Sequence, residues 1–344
     1  NIKTKNIIPL KNVFIADLGQ IPFFFIAFIA VYSLAKKLNF SKEYSFFSAS
    51  LFTLIPNYFK QLEIAYVDVM VAALFLVSLN CILSLRKSFS LSNITLCAIS
   101  MGLLLGVKSL ALVFTILLIL PILVIFIENF KKIVFRKWIF VFILFFIFLI
   151  LFGGFSYIRN FILTGNPLYP IDVEIFGKVF FKGAIDKINY AAHFVTSDYA
   201  LSKLLFHEGL GLQTIIFVLP GIFLALLVYL SKEQHRDYIL IYFFILPILI
   251  YYFFRFVIPL ANVRYIYNLM ALGIIFGFYV YSRFNIPSKV MKILIFICVL
   301  ASVSEFSGHV ELLLSLFFWF TFFALLMQSE RVKKIIITSI FFII

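Results

Sequence analysis

The chain is predicted to fold as an all-α, polytopic transmembrane helical bundle with one long loop outside the membrane. Three observations predict this. The 344 residues are 64% hydrophobic and only 13% charged, with a mean hydropathy of +1.13. A soluble domain of that composition would present one continuous apolar surface. The apolar residues also fall into runs separated by short polar junctions, and those junctions alternate between basic clusters and nearly uncharged turns.

The apolar runs lie at 20–36, 43–57, 67–85, 91–107, 109–127 and 137–156. After the long loop they resume at 210–230, 237–254, 264–282, 289–304, 310–327 and a stub at 333–344, about twelve spans in all. The runs at 43–57 and 91–107 are short for a full crossing, which takes roughly 20 residues. One side of the bundle collects Lys36, Lys37, Lys42, Arg86 and Lys87, then Lys131, Lys132, Arg136 and Lys137. Lys232, Arg236, Arg283, Lys289, Lys292, Arg331, Lys333 and Lys334 fall on the same side. The short turns opposite hold only Lys60, Lys108, Arg255 and Arg264. The basic side reads as cytoplasmic, with residues 1–19 and 157–209 facing outward.

Residues 1–344 therefore read as a single transmembrane domain. The loop 157–209 carries a predicted interfacial helix, with Ser197 as N-cap, Leu201, Leu204 and Leu205 at helical spacing, and Gly209 at its end. A net charge of +14 would suggest nucleic acid in a soluble protein. Here the cations mark orientation, and no nucleic-acid partner is expected. The 48 Phe, with many Ile, Lys and Asn, fit AT-rich codon usage. Cys81, Cys97 and Cys298 sit in apolar spans without metal or redox spacing and read as buried structural residues. His193, His207, His235 and His309 show no metal spacing, so cofactors stay undetermined, with a divalent metal left open. No P-loop, GxSxG, HExxH or Rossmann fingerprint occurs.

Ten of the fifteen acids fall on the outer side, and Glu63 and Asp68 stand out in the turn that leads into the span 67–85. An acid there is favoured by the helix macrodipole, and it is also placed to orient an acceptor, bind a metal or take a proton. Arg255 and Arg264 flank one outer turn, and no Asp or Glu occurs from Tyr238 to Ser304. Arg264 moreover starts a helix, where the dipole is already positive. An anion such as phosphate would resolve that conflict, as would lipid headgroups or an acid from elsewhere in the sequence. Lys108, between two spans, and Arg159, at the exit of 137–156, are candidates for the same patch.

Several stretches, in order, resemble the polytopic GT-C glycosyltransferases, in particular bacterial lipid-phosphate-dependent sugar transferases related to the aminoarabinose and protein O-mannosyl transferases. They are Gln20-Ile21-Pro22 running to Lys36-Lys37, Gln61 to Asp68, Gly102 to Lys108, and Arg159-Asn160 with Thr164 to Pro170. Phe176-Gly177, Lys182-Gly183 and Arg264-Tyr265 complete the set. The resemblance implies a sugar transferred from a polyprenyl-phosphate donor to a hydroxyl of a glycan, lipid or protein acceptor, at the outer face. It implies lipid-phosphate contacts from Lys108, Arg159, Arg255, Arg264 and Tyr265, and loop or substrate contacts from Asn160, Asn166 and Tyr169. Asp68 and Glu63 become supporting acids, because the family's catalytic acid belongs to a first outer loop that this sequence does not contain. Residues 1–19 then read as the remnant of that loop, with Asp17 too close to the first span to stand in, and the chain as an N-terminally truncated fragment that is inactive alone. The competing classes are a lipid-linked oligosaccharide flippase or other transporter, and a glycan polymerase or ligase. Mid-span acids and two related halves would mark a transporter; neither is seen here.

Overall fold

The structure is a computed structural model that describes residues 18–64, 66–130, 135–175, 177–184, 208–232, 237–257 and 262–305. It is almost entirely helical. The helices are α1 (Ile21–Lys37), α2 (Lys42–Thr53), α3 (Pro56–Lys60), α4 (Asp68–Lys87), α5 (Leu91–Val107), α6 (Ala111–Phe130), α7 (Phe135–Gly153) and α8 (Phe155–Thr164). After a two-stranded antiparallel hairpin, β1 (Val173–Ile175) with β2 (Lys178–Phe181), come α9 (Leu219–Lys232), α10 (Tyr238–Tyr252), α11 (Tyr267–Arg283) and α12 (Ser288–Ser304).

Among the described residues five helical stretches are long and apolar enough to cross a membrane: Asp68–Lys87, Ala111–Phe130, Thr214–Ser231, Tyr238–Phe256 and Val263–Arg283. Trp138–Gly153 and Phe155–Thr164 would make a sixth if the pair, bent by 71°, counts as one span. The predicted run 43–57 is not one helix. α2 stops at Thr53, and Ile55 is extended (φ −60°, ψ 121°) before Pro56 begins α3. Proline's ring disfavours helical geometry in the preceding residue, so the break is local in origin. The predicted spans 310–327 and 333–344 lie outside the described residues, as do residues 1–17 and the interfacial helix proposed after Ser197.

The long loop does not begin as coil at Tyr157. The chain turns at Gly153-Gly154 and continues as α8, which ends on Gly165 in the left-handed conformation (φ 73°). Phe155, Ile158, Ile162 and Leu163 on α8 are all at least half exposed, while Tyr157 Oη donates to the Leu105 carbonyl at 3.2 Å. The bend thus lays an apolar surface helix over the end of α5.

The core is aromatic and tight. α11 is buried along nearly its whole length, packed on α9, α10 and α2. Phe24, Phe52, Tyr58 and Tyr267 form one ring cluster, and Tyr267 Oη donates to Asn57 Oδ1 at 2.5 Å, joining α11 to α3. Phe89, Phe126 and Trp138 form another at the opposite end. Gly221, Gly273 and Gly277 let α9 and α11 meet backbone to backbone: a Cβ on Gly221 would lie 2.6 Å from the Gly277 nitrogen. Cys97 and Cys298 are buried and Cys81 is half-buried, each as a free thiol.

Candidate active site

Asp68 is the first residue of α4, and its side chain is 3% exposed. Lys108 follows the last residue of the antiparallel neighbour α5, so its chain reaches back across the same end of the bundle. Its Nζ donates to Asp68 Oδ1 at 2.8 Å. Arg264 comes from the 3₁₀ turn Val263–Ile266 that leads into α11, and its Nε stands 3.0 Å from Asp68 Oδ2. That second contact is not aligned as a hydrogen bond, so Asp68 Oδ2 and Arg264 Nε attract each other as charges while neither gains a directed partner among the described residues. Two cations thus converge on one buried carboxylate, from three segments far apart in sequence.

Aromatic faces complete the cluster. The Arg264 guanidinium lies 3.9 Å from the centroid of the Tyr66 ring and 5.6 Å from that of Tyr265, and Lys108 Nζ lies 4.3 Å from the Tyr265 ring. A cation over a ring face is stabilised by the ring's quadrupole, more so once partly desolvated. Asn262 caps the turn by accepting from the Arg264 backbone N–H at 3.2 Å. The positive end of the α4 dipole faces the Asp68 side chain from the same side of the cluster.

Asp68 resolves the placement of Arg264, which is unfavourable judged from its own segment alone. Its counterion is an acid from elsewhere in the sequence, one of the alternatives the sequence left open. The structure brings together Asp68, Lys108, Arg264 and Tyr265. Tyr66 belongs with them, and sequence reading missed it as a contributor; its place two residues before Asp68 in a turn was the available signal. Arg255 and Arg159 sit on other parts of the same end. Arg255 is in the π-helical turn Phe253–Val257, with its guanidinium 5.6 Å from the Phe256 ring centroid. Arg159, exposed on α8, contacts Asn160 Oδ1 at 3.3 Å. Glu63 closes the turn Gln61–Glu63, and its side chain lies outside the described groups. Among the described residues no three His, Cys, Asp or Glu side chains are gathered as a metal site.

The loop residues divide. Asn166 is fully buried: its Oδ1 accepts from the Leu168 N–H at 2.8 Å and its Nδ2 donates to the carbonyls of Ile171 (2.8 Å) and Lys182 (3.3 Å). That side chain ties the turn after α8 to the hairpin. Asn160 Nδ2 donates to the Tyr169 carbonyl at 3.3 Å, and the Tyr169 ring is exposed. Replacing Asn166 with Ala orphans three backbone groups and is expected to loosen the loop by about 1–3 kcal/mol. Faster amide exchange or proteolysis across 165–183, with the helices unchanged, is the readout. Protection equal to wild type would show that Asn166 does not hold the loop.

Residues 5–163 match the family model of dolichyl-phosphate-mannose-protein mannosyltransferase. The match covers just under half of the 344 residues; it contains Asp68, Lys108 and Arg159, and stops before Arg255 and Arg264. No curated protein and no solved structure matches the chain. The strongly apolar, almost entirely helical bundle and the similarity of its N-terminal part to these mannosyltransferases support a polytopic membrane glycosyltransferase of the GT-C type that uses a lipid-linked sugar donor.

Proposed function

We propose that the protein transfers a sugar from a polyprenyl-phosphate carrier to an acceptor hydroxyl at the outer face of the cytoplasmic membrane. One observation carries the reading. At the end of the bundle away from the basic clusters, a buried carboxylate holds two cations that are themselves still accessible, Lys108 at 26% and Arg264 at 19% side-chain exposure. Asp68 uses one of the three donors of Lys108 and faces only the Nε of Arg264, which leaves donors on both for an arriving phosphate.

In this reading the acceptor oxygen attacks the anomeric carbon, the bond from that carbon to the phosphate oxygen breaks, and the hydroxyl proton passes to a carboxylate base. The lipid phosphate leaves with the added negative charge. Lys108 and Arg264 stabilise that charge, and Asp68 keeps both cations in place between turnovers as a positioning residue. Tyr265 and Tyr66 fix the planes over which the cations sit. Arg159 and Arg255 lie where a carrier phosphate or its lipid neighbours approach, and the loop with Asn160 and Tyr169 borders the acceptor side. The acceptor is a glycan, lipid or protein hydroxyl.

The test is sugar transfer by the full-length gene product in proteoliposomes supplied with a radiolabelled polyprenyl-phosphate sugar. Arg264→Ala and Lys108→Met should each lower transfer by roughly tenfold or more while the protein stays folded. Label that crosses the bilayer still linked to its lipid, with no transfer, would overturn the reading in favour of a flippase.

A further inference from the structure

The end of the bundle opposite Asp68 carries a second polar feature, independent of the transferase reading. α4 runs from Asp68 to Lys87, so its two ends are separated by roughly 30 Å. Around the far end, between the termini of α1, α4, α5 and α10, lies a cavity of about 880 Å³. Among the described residues its walls include Lys36, Lys37, Arg86 and Lys87 against a single carboxylate, Asp237. Cations at helix C-termini are ordinary, since the dipole and the bias of membrane proteins both favour them there. Those rules place charge at an end. They do not gather it around a concave space.

The charge balance inside the cavity is the informative part. Arg86 is neutralised: its Nη1 lies 2.5 Å from Glu128 Oε2, and its Nε lies 3.6 Å from Asp237 Oδ2. Asp237 is further committed as the N-cap of α10, accepting from the Ile239 N–H at 2.8 Å. The three lysines have no carboxylate partner among the described residues. Lys36 Nζ donates to the Phe40 carbonyl at 2.8 Å, and Lys37 Nζ donates to the Asn80 carbonyl and to Ser84 Oγ, at 2.5 and 2.7 Å. Neutral oxygens therefore hold two ammonium groups at the wall, and Lys87 is exposed beside them. Uncompensated positive charge in a cavity of ligand size, at the level where a bilayer's headgroups lie, is what an anionic headgroup would neutralise.

We propose that this cavity binds the phosphodiester headgroup of an anionic phospholipid from the leaflet at the basic end, with Lys36, Lys37 and Lys87 as its charge partners. Each cation near such a surface is worth roughly a fivefold change in affinity. The full chain would be placed in phosphatidylcholine vesicles with and without phosphatidylglycerol, and bound lipid counted by native mass spectrometry after extraction. Lys36→Gln/Lys87→Gln leaves the Lys37 bridge to α4 intact and should reduce retained phosphatidylglycerol by more than about tenfold. Lys42→Gln/Lys289→Gln removes the same charge at the same end but outside the cavity, and should retain it. Equal loss in both pairs, or no loss in the first, overturns the proposal. An equal effect of inorganic phosphate in pure phosphatidylcholine would make the ligand a soluble phosphate and overturn the lipid assignment. Should the cavity pair fail to fold, Lys87→Gln alone carries the test, with about a fivefold loss expected and no loss overturning it.

Discussion

Asp68→Asn is expected to cost the protein both stability and transfer activity. The substitution keeps the volume and removes the charge, so Lys108 and Arg264 face each other across a neutral amide. Breaking a buried ion pair by removing one partner costs roughly 3–5 kcal/mol. Here both cations are partly exposed and can recruit water, so about 2–3 kcal/mol is the expected loss. Lys108→Met added to Asp68→Asn should recover part of that loss, because the second change removes a cation that the first has orphaned. Transfer should fall by roughly tenfold or more in Asp68→Asn if Lys108 and Arg264 hold the donor phosphate as proposed, since both lose the group that positions them. Unfolding by denaturant in detergent, alongside transfer in proteoliposomes, separates the two effects. An Asp68→Asn protein as stable and active as wild type would remove Asp68 from the site.

Gly277→Leu is expected to have an effect at least as large, through packing alone. A Cβ at Gly277 would collide with the Phe217 carbonyl oxygen and lie 2.8 Å from its Cα, and both atoms are backbone. A rotamer change relieves nothing there; α11 and the π-helical turn Thr214–Val218 that leads into α9 have to move apart. Overpacking of a tight core costs about 1–3 kcal/mol for small additions, and a whole leucine between two backbones exceeds that range. Gly221→Ala meets the same obstacle from the other helix and should be destabilising in the same direction. Gly19→Ala, with nothing within 4 Å of its Cβ, is the matched control and should be neutral. Because Arg264 lies in the turn that opens α11, separation of the two helices also displaces it from Asp68. Lost transfer in any folded Gly277 variant is therefore expected. Wild-type melting behaviour in Gly277→Leu would show that α9 and α11 do not meet as described.

Much of the helical plan was legible because a membrane leaves little freedom. Backbone groups in hydrocarbon need internal hydrogen bonds, so a long apolar run is a helix almost by necessity. The runs 67–85, 109–127, 210–230, 237–254 and 264–282 all correspond to long apolar helices. The breaks were harder to read. Pro56 splits one run, because its ring disfavours helical geometry in the residue before it, and another run turns through 71° at Gly153-Gly154, a break that average hydropathy does not register. Asn166 belonged to the loop as expected, but its hydrogen bonds point into the loop itself.

By itself the sequence determined the class of the protein, the alternation of its charged ends and the candidates Asp68, Lys108, Arg264 and Tyr265, since hydropathy and residue chemistry are local properties. Only the tertiary structure decided that Asp68 is the counterion of both Lys108 and Arg264, that Tyr66 joins them, and that basic termini of separate helices enclose a cavity. The physical reason is that charge pairing depends on distance through space. Residues 40 and 196 positions apart along the chain reach 3 Å only when α4, α5 and α11 pack side by side.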